Sequence, residues 1–322
     1  MTKISSADWA AYKLKIVSVN NFPTAAGLAS SASGYACFTR CLAELYGVAE
    51  EYEGELSAIA RQGSGSACRS MYGGWVAWRM GSREDGRDSI AQQVQPASHW
   101  PDMRVLILVA NSGQKETSST DGMQRSVRTS LLLKHRAEVI VPQRMEAMEK
   151  HILARDFASF GDLTMADSNQ FHATCLDTLP PIFYMNDTSK SVIHLVHAFN
   201  NYKKEVKAAY TFDAGPNAVV FVLKQDMEEL LAFFLKHFPH PQQDGYLHDP
   251  MRLSSFAAPT AAEPADAVYV SKAAAVVPKP TDAALDAAVG KNPHANTKVF
   301  QIIVSKVGDG PQILNKKNTF AK

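Results

Sequence analysis

Residues 20–34 read NNFPTAAGLASSASG, and the fold turns on how that stretch is read. Before it, Leu14 to Asn20 alternates β-branched and polar residues and reads as a strand ending at Asn20-Asn21. After it, Ser30 to Tyr46 is rich in Ala, Cys and Leu and reads as a helix closed by Gly47. Between them Pro23 and Gly27 set a turn, while Ala25, Ala26 and Ala29 are small enough to let a ligand approach the backbone. A strand-to-helix junction of this kind presents amides with no intrahelical acceptor, and the helix dipole favours an anion there. Ser30, Ser31 and Ser33 add hydroxyl donors. A Ser-Ser pair before a helix is, by itself, an N-cap. The full string Pro-x-x-x-Gly-Leu-x-Ser-Ser-Ala favours phosphate binding by residues 25–31, Leu28 among them. It has no lysine and so is not a G-x-x-x-x-G-K-[ST] loop.

Working outward, Leu56 to Arg61 reads as a short helix, and Gly63 to Ser70 as a Gly/Ser loop entering a helical turn. Gly74 to Met80 and Met103 to Ala110 read as strands, the second apolar throughout and therefore central. Gly122 to Ala154 is one long helical pattern; Asp156 to Cys175 and Ser189 to Tyr202 follow as helices. Strands resume at Lys207 to Phe212 and Ala218 to Leu223, joined by DAGPN, and Met227 to Phe238 is an amphipathic helix placed as in a split βαβ unit. Residues 254–297 are rich in Ala and Pro with little periodicity and read as a mobile insertion. Val299 to Val307 is the last strand.

The 322 residues suffice for two domains, and 46% hydrophobic with 20% charged residues is a globular balance. A formal charge of +1 gives no field toward nucleic acid or acidic lipid, so an anionic ligand must be held by local groups. The longest apolar run, Val105 to Ala110, is too short to span a bilayer, and the first residues lack a signal peptide's apolar core, which makes the cytoplasm the default compartment. Cys37, Cys41, Cys68 and Cys175 form no C-x-x-C pair, and no histidine has metal-ligand spacing.

Three further strings carry chemistry. GSGSACRS, Gly63 to Ser70, combines a backbone free to curl with hydroxyls and the planar fork of Arg69, suited to a carboxylate or phosphate. Alone, Gly-Ser-Gly-Ser is more often a flexible turn and a single arginine a solvated one. YTFDAGPNA, Tyr210 to Ala218, puts Asp213 at a strand end; spacing leaves open a turn-initiating aspartate or a carboxylate that polarises a substrate hydroxyl. TSSTDGM, Thr117 to Met123, offers Ser118, Ser119 and Thr120 as helix caps or as anion donors. His172, within DSNQFHATCLDTLPPIFY, reads as a helix-packing residue.

The first string resembles the second motif of the small-molecule kinase superfamily that includes galactokinase, homoserine kinase and mevalonate kinase. GSGSACRS followed by MYGGWV, together with YTFDAGPNA, residues 167–184 and the final GPQIL (Gly310 to Leu314), resembles one branch of it, the diphosphomevalonate decarboxylase family. That resemblance runs from about Val17 to Leu314. It implies an α/β (α+β two-layer) GHMP-kinase-like fold: an N-terminal ribosomal-protein-S5-like phosphate-loop domain over residues 1–111, a ferredoxin-like C-terminal domain over 112–322, and a deep cleft between. It implies ATP-dependent decarboxylation of mevalonate 5-diphosphate to isopentenyl diphosphate, in isoprenoid and sterol biosynthesis, with ATP as co-substrate and Mg2+ held through ATP and by Ser31 or Ser66. Asp213, Ser31 and Arg69 take the catalytic roles, Ser64, Ser66, Arg69 and Ser119 bind substrate, and Gly215 and Asn217 share the Asp213 loop. Family members are homodimers that bind neither nucleic acid nor membrane. They also begin with a further segment that supplies early strands, a tyrosine and a lysine, and this chain has no counterpart to it. Two other readings are a sister kinase, such as mevalonate or phosphomevalonate kinase, and a truncated paralogue that binds nucleotide or protein without catalysis.

Overall fold

The computed structural model describes residues 13–20, 22, 28–110, 117–238, 246–251, 253–256 and 281–314. The chain divides into two compact units, one built from Ala29–His99 and the segment after Gly308, the other from Trp100–Val307. No helix among the described residues is long and apolar enough to cross a membrane.

In the first unit, helix α1 (Ser30–Tyr46) buries Ala32, Ala36, Thr39 and Ala43, a stripe at helical spacing. Because those side chains are small, α1 can lie close to α2 (Glu55–Gly63) and α3 (Ala67–Ser70), where Ala32 packs with Ala60 and Ala67. Gly63 is required there: a Cβ would stand 2.2 Å from the Tyr35 ring of α1. A hairpin of β1 (Trp75–Trp78) and β2 (Ala91–Gln95) completes the unit. β2 was not expected. Its sequence AQQVQ exposes two glutamines and carries no apolar alternation. The last described residues return to Gly73-Gly74, whose amide at Gly74 donates to the Gly308 carbonyl at 2.8 Å. Any side chain on Gly73 would meet the Asp309 backbone at 2.2 Å, which explains the glycine pair in MYGGWV.

In the second unit, five strands run in the order β4 (Ala208–Phe212), β5 (Ala218–Leu223), β3 (Met103–Val109), β7 (Gln301–Lys306), β6 (Leu247–His248). All pairs are antiparallel except β6 with β7. β3 is central, as its unbroken apolar sequence requires. Its Leu106 and Leu108 are fully buried with Val220 of the neighbouring strand β5 and with Leu195, Phe199 and Phe233 from helices that cover the sheet. The helices are α4 (Ser119–Thr129), α5 (Leu131–His135), α6 (Val141–Ala154), α7 (Phe157–Asp177), α8 (Asp187–Lys203), α9 (Lys224–His237) and α10 (Ala283–Ala288).

Four expectations change. Residues 13–20 form no ladder, and Leu14, Ile16, Val17 and Val19 are exposed, because no strand lies beside them among the described residues. The boundary expected at residue 111 falls before Trp100, since β3 pairs with β5 and β7 and belongs to the second unit. The long helical pattern from Gly122 to Ala154 breaks at Ser130, whose hydroxyl caps α5 at Leu133 and donates to Asp177. A π-helical turn over Arg136–Ile140 follows, and Arg136 forms a two-pronged ion pair with Asp167. Finally, the expected insertion 254–297 carries α10 in its described part, with Leu285 and Val289 in the core. Five apolar or small residues in AALDAA were too few to show a period.

Candidate active site

The described part of the phosphate loop begins at Leu28; Ala25, Ala26 and Gly27 lie outside the described residues. Ala29, not a serine, is the N-cap of α1 and contributes no side-chain bond. The first backbone bond of the helix is Ser33 N–H to the Ala29 carbonyl at 3.0 Å. The amides of Ser31 and Ala32 therefore precede the helical ladder. Ser33 is turned away from this end: its hydroxyl donates to the Ser30 carbonyl and to Asn20 Oδ1. Ser31 stays exposed, and its Oγ lies 3.1 Å from Ser64 Oγ. The small-residue contact between α1 and α2 thus brings the first two motifs together at a hydroxyl pair.

Ser64 ends α2, and Ser66 begins α3 without a side-chain cap. Three residues on, Arg69 is exposed and its guanidinium lies over the Trp78 ring, 5.8 Å from the centroid. Trp78 is fixed in turn by its indole N–H, which donates to Ser89 Oγ at 3.1 Å. A Cβ at Gly65 would stand 3.2 Å from the same ring. One indole therefore backs both the Gly/Ser loop and the arginine, a cation–π contact that orients the fork without using its donors. Arg69 borders an open depression of about 420 Å³ shared with Ser70, Tyr72, Gly74 and Gly308. Burial pushes the Cys68 thiol beneath it up, against the opposing pull of Arg69 and Arg61.

In the second unit, the DAGPN loop joins β4 to β5. Phe212 and residues 214–218 are buried, and Asp213 between them is exposed. The loop is tied at every step. Phe212 N–H donates to Ser168 Oγ (3.0 Å), Gly215 N–H to the Asp213 carbonyl (2.7 Å), and Ser189 Oγ to the Pro216 carbonyl (2.7 Å). Asn217 Oδ1 accepts from Ala110 N–H at 2.7 Å, fastening the loop to the end of β3. The Asp213 carboxylate makes no hydrogen bond or ion pair among the described residues. Its charge is felt by neighbours: the Cys175 thiol is pushed up to about 11 and the Tyr184 phenol to about 12, in both by burial first.

Tyr184 ties this loop's surroundings to the fourth motif. Its hydroxyl donates to the Ser118 carbonyl at 3.2 Å, and a Cβ at Gly122 would stand 2.3 Å from that hydroxyl. Ser118 is the N-cap of α4: its Oγ accepts from Asp121 N–H at 3.0 Å. Ser119, the first helical residue, is half-buried. Tyr184, Cys175, Ile182 and Ala214 form one small apolar cluster.

Ser31, Ser64, Ser66 and Arg69 thus lie in the first unit, with Ser31 and Ser64 in contact; Ser119 and Asp213 lie in the second. Sequence reading missed Trp78 as the support of Arg69, and Tyr184 and Ser168 as supports around Asp213. Only the aromatic pair in WVAW offered a signal for the first. Among the described residues no three His, Cys, Asp or Glu side chains converge to hold a metal. The Ser31–Ser64 hydroxyl pair beside a helix N-terminus fits a divalent ion held chiefly by phosphate oxygens, which hard cations such as magnesium favour.

Two family models match: the mevalonate 5-diphosphate decarboxylase C-terminal domain over residues 105–314, and the diphosphomevalonate decarboxylase-like N-terminal domain over residues 1–91. A rat diphosphomevalonate decarboxylase is 60% identical over 228 residues, 71% of this chain and 56% of the relative. This chain therefore spans just over half of that relative's length. A crystal structure of mevalonate 5-diphosphate decarboxylase superposes with a TM-score of 0.73 at 42% identity, covering 92% of this chain and 71% of that one. A second structure, described as MDDEF in complex with MVAPP, AMPPCP and magnesium, superposes with a TM-score of 0.60 at 35% identity, covering 68% and 65%.

Proposed function

The chain belongs to the mevalonate 5-diphosphate decarboxylase family, and from that premise we propose that it carries out the family's reaction: ATP-dependent conversion of mevalonate 5-diphosphate to isopentenyl diphosphate, ADP, phosphate and carbon dioxide. The observation that carries the proposal is Asp213, the single exposed residue in a loop otherwise buried and hydrogen-bonded from Phe212 to Ala218. A carboxylate at the end of a strand so fixed, with no hydrogen-bond or ion-pair partner among the described residues, can orient the tertiary hydroxyl of the substrate and receive its proton. The hydroxyl oxygen then bonds to the γ-phosphorus as the bond to ADP breaks. Next the carbon–oxygen bond to phosphate breaks. The electron pair of the carbon–carboxylate bond becomes the alkene, and carbon dioxide leaves.

A tertiary alcohol is crowded, so alignment dominates the barrier. Ser31 and the amides at the start of α1 spread the charge of the phosphoryl group in transfer, a role that positioned donors fill without reorganising. Ala25, Ala26, Gly27, Leu28, Ala29 and Ser30 complete the phosphate cradle. Arg69, backed by Trp78, grips the departing carboxylate with two parallel donors, and Ser64, Ser66 and Ser119 hold the diphosphate. Ser31 or Ser66 would hold a magnesium ion beside the nucleotide's phosphates, where it would supply charge neutralisation. A homodimer working in the cytoplasm completes the proposal and rests on the resemblance alone.

The test is to assay ADP and carbon dioxide together from MgATP and mevalonate 5-diphosphate. Equal release of both is expected, falling about a hundred- to a thousandfold in Asp213→Asn. ADP without carbon dioxide would make the protein a kinase, and neither product would leave a binding protein.

A further inference from the structure

The carbonyl of Ser118 takes two donors. Gly122 N–H gives it the first helical bond of α4 at 2.9 Å, and the Tyr184 hydroxyl reaches it at 3.2 Å. The phenol can lie there because residue 122 has no side chain. A Cβ at that position would stand 2.3 Å from the phenol oxygen, but 3.5 Å from the ring carbon that bears it. The ring cannot swing aside, since it is buried in one cluster with Cys175, Ile182 and Ala214. Glycine disfavours a helix against alanine by about fivefold. α4 therefore gives up helical propensity at the residue over which the phenol sits.

We infer that Tyr184 is a positioning residue for mevalonate 5-diphosphate, and that Gly122 keeps the space through which its hydroxyl reaches Ser118. The inference rests on the reading of Ser119 and Asp213 as contacts of that substrate. A peptide unit is planar and trans, so the Ser118 carbonyl and the Ser119 N–H point opposite ways from one rigid plate. Holding the carbonyl fixes the direction of that N–H and the Cα from which the Ser119 side chain springs. The same ring packs with Ala214, the residue after Asp213. One side chain thus touches the residue before Ser119 and the residue after Asp213. In the substrate a short, fixed run of carbons separates the diphosphate from the tertiary hydroxyl, so the spacing of their two contacts governs alignment. Burial pushes the phenol up to about 12, and it keeps at neutral pH the proton it donates. A packing role alone needs no hydroxyl: phenylalanine would fill the cluster without entering the space beside Gly122.

Tyr184→Phe removes the hydroxyl and keeps the ring. In the complete chain it is expected to raise KM for mevalonate 5-diphosphate about three- to tenfold, with KM for ATP changed less than about twofold. Gly122→Ala should act in opposite directions with and without the hydroxyl. In the unaltered chain it should accelerate amide exchange over residues 121–124 about tenfold or more, after correction for intrinsic rates. In Tyr184→Phe the 2.3 Å conflict is gone, and the same substitution should slow that exchange about two- to fivefold through alanine's helical preference. Gly122→Ala acting in the same direction in both backgrounds overturns the inference. So does a Tyr184→Phe variant that leaves KM for mevalonate 5-diphosphate within about twofold, or that raises both KM values alike. Should Gly122→Ala not fold, its rescue by Tyr184→Phe decides. If the unaltered chain releases no carbon dioxide, the functional reading fails and takes the substrate role with it, while the exchange cycle still judges the contact between Tyr184 and α4.

Discussion

Replacing Asn217 by alanine tests how the Asp213 loop is held. Asn217 is 1% exposed, and its Oδ1 takes the Ala110 N–H at 2.7 Å across 107 positions of sequence. Ala110 is itself buried, so the substitution strands a donor away from water, at about 1–3 kcal/mol. The lost amide group also leaves a small cavity, adding about 1 kcal/mol. Removing one buried polar group from the native state offsets part of this, and a net loss of about 2–3 kcal/mol is expected. At 1.4 kcal/mol per factor of ten, globally exchanging amides at the sheet centre, Leu106, Val220 and Val304, should lose roughly thirty- to a hundredfold in protection. Asn217→Asp keeps an acceptor at the same place but buries a carboxylate, and should also destabilise, more at neutral pH than at pH 4. Native-state hydrogen exchange checks both. A loss under about 0.5 kcal/mol in Asn217→Ala, or greater stability of Asn217→Asp at neutral pH, would refute the view that this bond pins the loop.

Three other outcomes follow from the same structure. Arg69→Lys keeps the charge but loses the fork, so kcat/KM for mevalonate 5-diphosphate should fall about ten- to a hundredfold while thermal stability, measured beside it, stays within about 0.5 kcal/mol because Arg69 is exposed. Burial holds His172, His197, His237 and His248 below the ordinary value of 6.5, so the folded state resists protons that the unfolded chain accepts. Their contribution is complete above about pH 6.5 and lost as pH falls through the folded values; calorimetry from pH 7.5 to 5 should show a falling midpoint, and a constant or rising one would contradict it. Of the four thiols, Cys37 and Cys41 are exposed and Cys68 and Cys175 buried, so a disulfide-exchange reagent at pH 8 should titrate two promptly and the others only in denaturant.

The strong local patterns carried over into the fold. α1 spans Ser30–Tyr46 and β5 spans Ala218–Leu223 as their sequences indicate, since a helix closed by Gly47 and an apolar run between DAGPN and a charged helix leave little choice. What the sequence concealed depends on contacts distant along the chain. β2 exists because β1 pairs with it and Ser57 Oγ accepts the Ala91 amide, not because AQQVQ favours a strand. Residues 13–20 have the composition of a strand and no neighbouring strand among the described residues. The motif residues Ser31, Arg69 and Asp213 were legible as chemistry. Their supports were not: Trp78 lies in a different element from Arg69, and Ser168 and Tyr184 are far in sequence from the loop they steady.

The most direct test is a crystal structure of this chain with mevalonate 5-diphosphate, magnesium and a non-hydrolysable ATP analogue. It should place the substrate carboxylate on the Arg69 guanidinium, the tertiary hydroxyl on the Asp213 carboxylate and the analogue's terminal phosphate at Ser31. Substrate bound with its hydroxyl or carboxylate against other residues would contradict the account.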